Sequence, residues 1–236
     1  MNAPVNYYVM RKAAMVSAVG YILMMGSPVA EALYGGLVNP ANPSATINNI
    51  ETNILTFRHC ILLYLVNFSG DILAAWGLYV LLKPAWANLS LLAAWLRIVY
   101  TIMSLCALMN LFNVIGLLDS QDYLHVLSAE QIRAQVMIDL RSFRNGWSLS
   151  FIFFGIYLII LGFLIIYCKY IPRIVGIAVA IAGIGWLTDN IQPLLFDRSY
   201  ISIGMVAGFG ELVLLIWLLI WGIRLKPPPL KNDQAI

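Results

Sequence analysis

Apolar residues along the chain gather into six long stretches, approximately Ala13–Leu33, Ile54–Leu82, Leu89–Leu111, Trp147–Cys168, Ile174–Leu195 and Ile201–Ile223. Each has the roughly 20 residues that a helix needs to cross about 30 Å of hydrocarbon. The pattern therefore predicts an all-α integral membrane bundle of six transmembrane helices. Interface anchors stand at the boundaries: Trp86 beside Lys83 and Pro84, Trp147 after Arg144, Tyr170 between Lys169 and Pro172, and Trp221 before Arg224. Between the third and fourth spans lies the one long connection, residues 119–145. There Ser128 and Gln131 have the spacing of a capping box, and Ile132, Val136, Leu140 and Phe143 recur at helical spacing. This predicts an amphipathic outer helix, lying on the outer leaflet or running straight into the fourth span. After Lys226 the run Pro227-Pro228-Pro229 cannot continue a helix, so residues 1–225 read as a single domain and 226–236 as a disordered tail.

Composition agrees with the pattern. The 236 residues are 61% hydrophobic and only 11% charged, against about 25% charged in soluble domains, which excludes a soluble globular protein. The net charge of +3, from 14 basic and 11 acidic residues, gives no reason to expect nucleic acid as a partner. The placement of the charges carries more. On an alternating path, Arg11, Lys12, Lys83, Lys169, Arg173, Arg224, Lys226 and Lys231 fall on one side. The other side carries Arg133, Arg141, Arg144 and Arg198 with most of the acids. Cationic residues in short loops stay cytoplasmic, so both termini are expected inside, at a cell membrane of bacterial inner-membrane type. Ala30-Glu31-Ala32 looks like a signal-peptide cleavage site, but the preceding apolar run is longer than an ordinary signal core, which favours a retained span.

Ionisable groups inside a bilayer are expensive and must find partners. Asp71 lies about 16 Å from the inner end of the second span and Arg97 about 13 Å from the inner end of the third, at 1.5 Å per residue. Matching depth on consecutive helices predicts a structural ion pair. Around it run polar or small-residue stripes: His59, Asn67, Asp71 and Ala74; Ala93, Arg97, Thr101 and Ser104; Ser17, Gly20, Met24, Ser27 and Glu31; Ala178, Ala182, Gly185 and Asp189; and Gly204, Gly208 and Glu211. The Gly204-x-x-x-Gly208 spacing predicts close approach of a neighbouring helix. The fourth span has no charge between Ser148 and Cys168 and is expected to be the most lipid-exposed helix. A weak echo between Gly77–Pro84 and Gly162–Lys169 is the pattern a duplicated hairpin would leave.

By depth, Glu31, Arg58, His59 and Asp189 sit in the outer third with Asn190 and Gln192. Glu211 is near the midplane, above Asp71 and Arg97. This arrangement predicts a polar cavity opening outward, in which carboxyl groups beside a cation can divide the roles of acid and base. Glu211, Asp189 and Glu31 are the expected catalytic acids and His59 a proton shuttle. Arg58, Asn67, Asn190 and Gln192 are expected to contact substrate. A packing network with no chemistry reads the same residues equally well. No H-E-x-x-H, nucleophile elbow or Walker loop occurs. Cys60, Cys106 and Cys168 lie at different depths, and His59 and His125 are the only histidines. Neither a metal nor a cofactor is expected.

Phe57-Arg58-His59 through Asp71, Gly77–Pro84, Leu91–Arg97, Phe153-Phe154-Gly155, Ile171-Pro172-Arg173-Ile174-Val175-Gly176, and Glu211 before Trp217-Leu218-Leu219 follow in order along nearly the whole chain. This series resembles a bacterial multi-pass membrane family known only as a domain of unknown function. The resemblance implies a compact helical membrane domain and no particular activity, with Arg58, Asp71, Arg97 and Glu211 at the family's charged positions. The expectation for function is an integral membrane enzyme acting on a lipid- or isoprenoid-like apolar substrate by acid/base chemistry, of isomerase, cyclase or hydrolase type. The alternatives are a non-catalytic ligand-binding, sensor or accessory protein, and a proton-coupled exporter. Partners are expected to be the lipid bilayer and an apolar, lipid-like ligand, and the sequence leaves the oligomeric state open.

Overall fold

The computed structural model describes residues 7–119, 127–196 and 204–225, with the side chains of 204–207 left aside. His125, Asp122, Asp197, Arg198 and the tail 226–236 lie outside the described residues. The helices are α1 (Tyr7–Met24), α2 (Gly26–Leu37), α3 (Pro43–Thr52), α4 (Ile54–Leu82), α5 (Ala87–Asp119), α6 (Ala129–Tyr167), α7 (Arg173–Leu195) and α8 (Gly204–Ile220). All regular structure among the described residues is helical. Five segments are long and apolar enough to cross a membrane: Tyr7–Leu37, which joins α1 and α2, and helices α4, α5, α6 and α7. The last helix contributes 17 residues. The chain is an all-helical, multi-pass membrane bundle.

Its helices close into a ring. Helix α1 packs on α4, α4 on α5, α5 on α6, α6 on α7, α7 on α8, and α8 back on α1. Large apolar side chains such as Leu62, Ile72 and Trp76 on α4, Trp95 and Ile102 on α5, and Ile174, Ile177, Ile181 and Ile184 on α7 stand outward. In water such a surface would aggregate, whereas in a bilayer it is the solvated face. The two ends of the described chain meet at one end of the ring, where Arg11 Nε donates to the Leu225 carbonyl at 2.5 Å.

Small residues set the closest crossings. A Cβ on Gly155 would stand 2.8 Å from the Gly183 carbonyl, and one on Gly183 would stand 2.7 Å from the Gly155 carbonyl. One helical heptad away, Gly162 and Gly176 repeat the arrangement at 2.6 and 2.7 Å. Only glycine at these positions lets the two backbones touch, and in lipid that van der Waals contact is what holds helices together. Helix α6 is thus wedged between α5 and α7, with half of its apolar window buried inside the protein. The expectation that this span would be the most lipid-exposed is corrected: absence of charge makes a helix lipid-compatible, but the glycine face turns it into a packing element. The same glycines bear on the hairpin echo. On α4, Gly70 and Gly77 face Gly20 and Ser17 of α1, whereas the matching pair on α6 faces its hairpin partner α7, so the two hairpins pack differently.

Three local features depart from a plain six-rod reading. The first span breaks at Met25, where Pro28 has no N–H to offer the Met24 carbonyl and the chain restarts as α2. The linker after α2 folds into α3, capped by Asn42, whose Oδ1 accepts from Ala45 N–H, and pinned by Thr46, whose hydroxyl donates to the Asn39 carbonyl. The amphipathic segment is the first part of one unbroken 39-residue helix, α6. Its start is the expected capping box, with Gln131 N–H donating to Ser128 Oγ at 3.2 Å and Ser128 N–H to Gln131 Oε1 at 2.8 Å. At 1.5 Å per residue it runs roughly 58 Å, well beyond about 30 Å of hydrocarbon.

Candidate functional site

A cavity of about 610 Å³ occupies the middle of the ring and takes lining residues from α1, α2, α4, α5, α6, α7 and α8. That volume lies in the range of pockets that enclose most of a drug-sized ligand. The kink at Met25 opens it, because the restart of the helix brings Ser27, Pro28 and Glu31 of α2 to the wall above Tyr21 and Met24 of α1.

Behind the lining residues Tyr21, Met24, Asn67 and Phe154 lies a saturated ion pair. Arg97 of α5 is fully buried and Asp71 of α4 nearly so. Arg97 Nε and Nη2 donate to Asp71 Oδ1 at 3.0 and 2.7 Å. Its Nη1 donates to the Tyr21 and Tyr157 hydroxyls at 3.2 and 2.6 Å, and Nη2 also to Met24 Sδ at 2.8 Å. All five guanidinium N–H groups are therefore occupied. Asn67 Nδ2 donates to the second carboxylate oxygen of Asp71 at 3.1 Å. The guanidinium also lies over the rings of Tyr21, Phe154 and Tyr157, at 5.1, 5.8 and 5.0 Å. One residue of α5 thereby ties α1, α4 and α6 together, with no donor left for a ligand.

At the rim stands a second ion pair. Arg144 of α6 donates through Nη1 to both oxygens of Glu31, at 3.2 and 2.9 Å, and the Tyr64 hydroxyl donates to Glu31 Oε1 at 3.0 Å. The Arg144 and Glu31 side chains are 52% and 34% exposed, so this contact works at the mouth in contact with water and contributes about 0–1 kcal/mol.

Aromatic rings make the wall between them. Trp147, Phe151 and Phe154 follow one another down α6 and line the cavity. Phe151 meets Trp186 of α7 at 4.6 Å, and Phe154 meets Tyr100 of α5 at 4.6 Å between centroids. Two polar groups in this apolar setting have no hydrogen-bond partner among the described residues. One is the buried indole N–H of Trp186. The other is the Glu211 carboxyl of α8, which lines the cavity with Leu212 and Leu215.

Residues 8–222 match the family described as Domain of unknown function (DUF4386). The chain belongs to this family. It is also similar to an uncharacterized protein of Archaeoglobus fulgidus, 33% identical over 157 residues, which are 66% of this chain and 79% of that one. No solved structure matches.

Of the residues that the sequence singles out in this DUF4386 chain, Glu31, Asn67, Asp189, Asn190 and Glu211 line the cavity. Asn190 Nδ2 donates back to the Trp186 carbonyl. Three residues are not brought there. Arg58 reaches Asp119 at the far end of α5, at 2.5 Å, with both side chains exposed. His59 is exposed on the outside of α4, and Gln192 donates within α7 to the Thr188 carbonyl. Gly208 is not a packing residue either: open space lies where its Cβ would stand, and the close approach to α7 is made by Gly210 against Ala178. Arg144, a boundary residue by its place in the sequence, also lines the cavity, as do Trp147, Phe151 and Phe154, which continue the stripe from the buried Phe143. Their spacing along α6 was the available signal.

Proposed function

We propose that this DUF4386 chain is a six-span integral membrane enzyme of the cell membrane, with α8 as the sixth span. It admits a lipid- or isoprenoid-like substrate to the central cavity and acts on it by acid/base chemistry. Glu211 donates the proton and Asp189 accepts one. The observation that carries the reading is the Glu211 carboxyl, which lines a mostly apolar cavity of about 610 Å³ and has no hydrogen-bond partner among the described residues. Asp71, by contrast, is hydrogen-bonded directly to Arg97, as a structural acid in a membrane is expected to be. Glu31 is occupied by Arg144 and Tyr64 and serves the mouth. Support for cytoplasmic termini comes from the end where the chain ends meet, whose described charges are Arg11, Lys12, Lys83, Lys169, Arg173 and Arg224.

Binding without turnover is the second reading, favoured by one observation: His59 lies outside the cavity, which leaves the acid/base set without its expected shuttle. One experiment separates the two. The protein is purified in nanodiscs with its co-purified lipid-like molecule, incubated in D2O, and that molecule is analysed by chromatography and mass spectrometry. Turnover places deuterium, or the mass of water, in the molecule for the wild type and not for Glu211→Gln, which still binds it. An unchanged molecule in both proteins would refute turnover and leave binding.

A further inference from the structure

Resting on the reading of the cavity as a substrate site, we infer that it is built to hold positive charge. Its substrate class is an alkene of isoprenoid type that passes through a carbocation. Three observations converge. First, five aromatic side chains, Trp147, Phe151, Phe154, Tyr100 and Trp186, line the cavity beside the aliphatic Leu212 and Leu215. The negative face of an aromatic ring attracts a cation, most strongly where water is absent. Second, the lining already does this: Tyr21 and Phe154 belong to it and at the same time lie 5.1 and 5.8 Å from the Arg97 guanidinium, whose charge Asp71 neutralises. Third, the described lining has no cationic side chain in its depth. Arg144 is the single cation among the described lining residues, and it stands at the mouth bound to Glu31, while Asp189 and Glu211 are acids.

The step balances without a further reactant. The O–H bond of the Glu211 acid breaks as a C–H bond forms at one alkene carbon, and the other carbon carries the charge under the rings. A neighbouring C–H then breaks, its proton goes to the Asp189 carboxylate, and its electron pair forms the shifted double bond. Both carboxyl groups return to their starting states by exchange with water at the mouth. Loss of the proton to Asp189, with no water added, makes the reaction an isomerisation or cyclisation.

Binding tests it without turnover. Farnesyltrimethylammonium, its uncharged isostere with carbon in place of nitrogen, and farnesyl phosphate are titrated against the full chain in nanodiscs. Empty nanodiscs and a Gly208→Phe variant give the partition background. The ammonium is expected to bind at least tenfold tighter than the isostere, and the phosphate no tighter than the isostere. In Tyr100→Leu/Phe151→Leu the preference should fall to about twofold with isostere affinity nearly unchanged, while Glu211→Gln keeps at least half of the preference. Equal binding of ammonium and isostere to the wild type overturns the proposal, and that ratio needs no variant to fold. So does a preference that disappears in Glu211→Gln and survives in the ring variant, since a carboxylate would then be the whole cause. If turnover alone is wrong, no deuterium enters the bound molecule, yet the ammonium preference stands.

Discussion

Replacing Asp71 with Leu leaves the Arg97 guanidinium fully buried, with two of its five donors facing a side chain that cannot accept. Each hydrogen bond to a charged group is worth about 1.5–3 kcal/mol. That agrees with the roughly 3–5 kcal/mol typical of breaking one partner out of a buried pair. Arg97→Met strands Asp71 in the same way and also frees the Tyr21 and Tyr157 hydroxyls, at about 1 kcal/mol each. Asp71→Asn keeps an oxygen acceptor and loses only the charge, so it should cost less than Asp71→Leu. The double change Asp71→Leu/Arg97→Met removes both charges, leaving mainly the two hydroxyl terms, about 2 kcal/mol. A double-mutant cycle therefore predicts a coupling of about 3 kcal/mol or more. Steric-trapping measurement of unfolding in bicelles reads it directly. A coupling below about 1 kcal/mol, with the double variant as damaged as the sum of the singles, would refute the reasoning that this pair is one unit.

The glycine crossing gives a second expectation. Gly155→Ala forces a Cβ to 2.8 Å from the Gly183 carbonyl and should destabilise by about 1–3 kcal/mol. Gly116→Ala, with nothing within 4 Å, should be neutral or stabilising by up to about 1 kcal/mol, and thermal denaturation in one detergent compares them. Reporter fusions at either terminus should give a cytoplasmic signal, and an external signal from either would reverse the assignment of the cationic end.

How far the sequence carries can be traced through single residues. The contact of Asp71 with Arg97 was legible because depth along a helix follows from a fixed rise per residue. Direction around the helix is harder. His59 and Asp71 are twelve residues apart, and at about 100° per residue the stripe drifts by roughly 120°, which carries His59 out of the cavity face while Asn67 and Asp71 stay on it. Arg58 likewise has the right depth and the wrong azimuth, and meets Asp119 instead of the acids of the cavity. The wall of α6 was hidden for a different reason. Phe and Trp have the same hydropathy facing lipid or facing an internal space, so only the glycines at 155 and 162, by fixing which face meets α7, decide where Trp147 and Phe151 point. Helix α3 escaped notice because its short, polar stretch has no apolar period, and its start is set by the Asn42 cap.

The central claim is that the ring encloses a cavity that holds a lipid-like molecule, and Gly208 offers the most direct measurement. It lines the cavity, and open space lies where its Cβ would stand, so Gly208→Phe adds a ring at the cavity wall from a position where the Cβ itself meets no neighbouring helix. Native mass spectrometry of the wild type, released gently from membranes, should show a bound molecule of lipid-like mass. Gly208→Phe should run as the same folded species without it. Retention of that molecule by a folded Gly208→Phe protein, or a wild type that carries none under any release condition, would contradict the account.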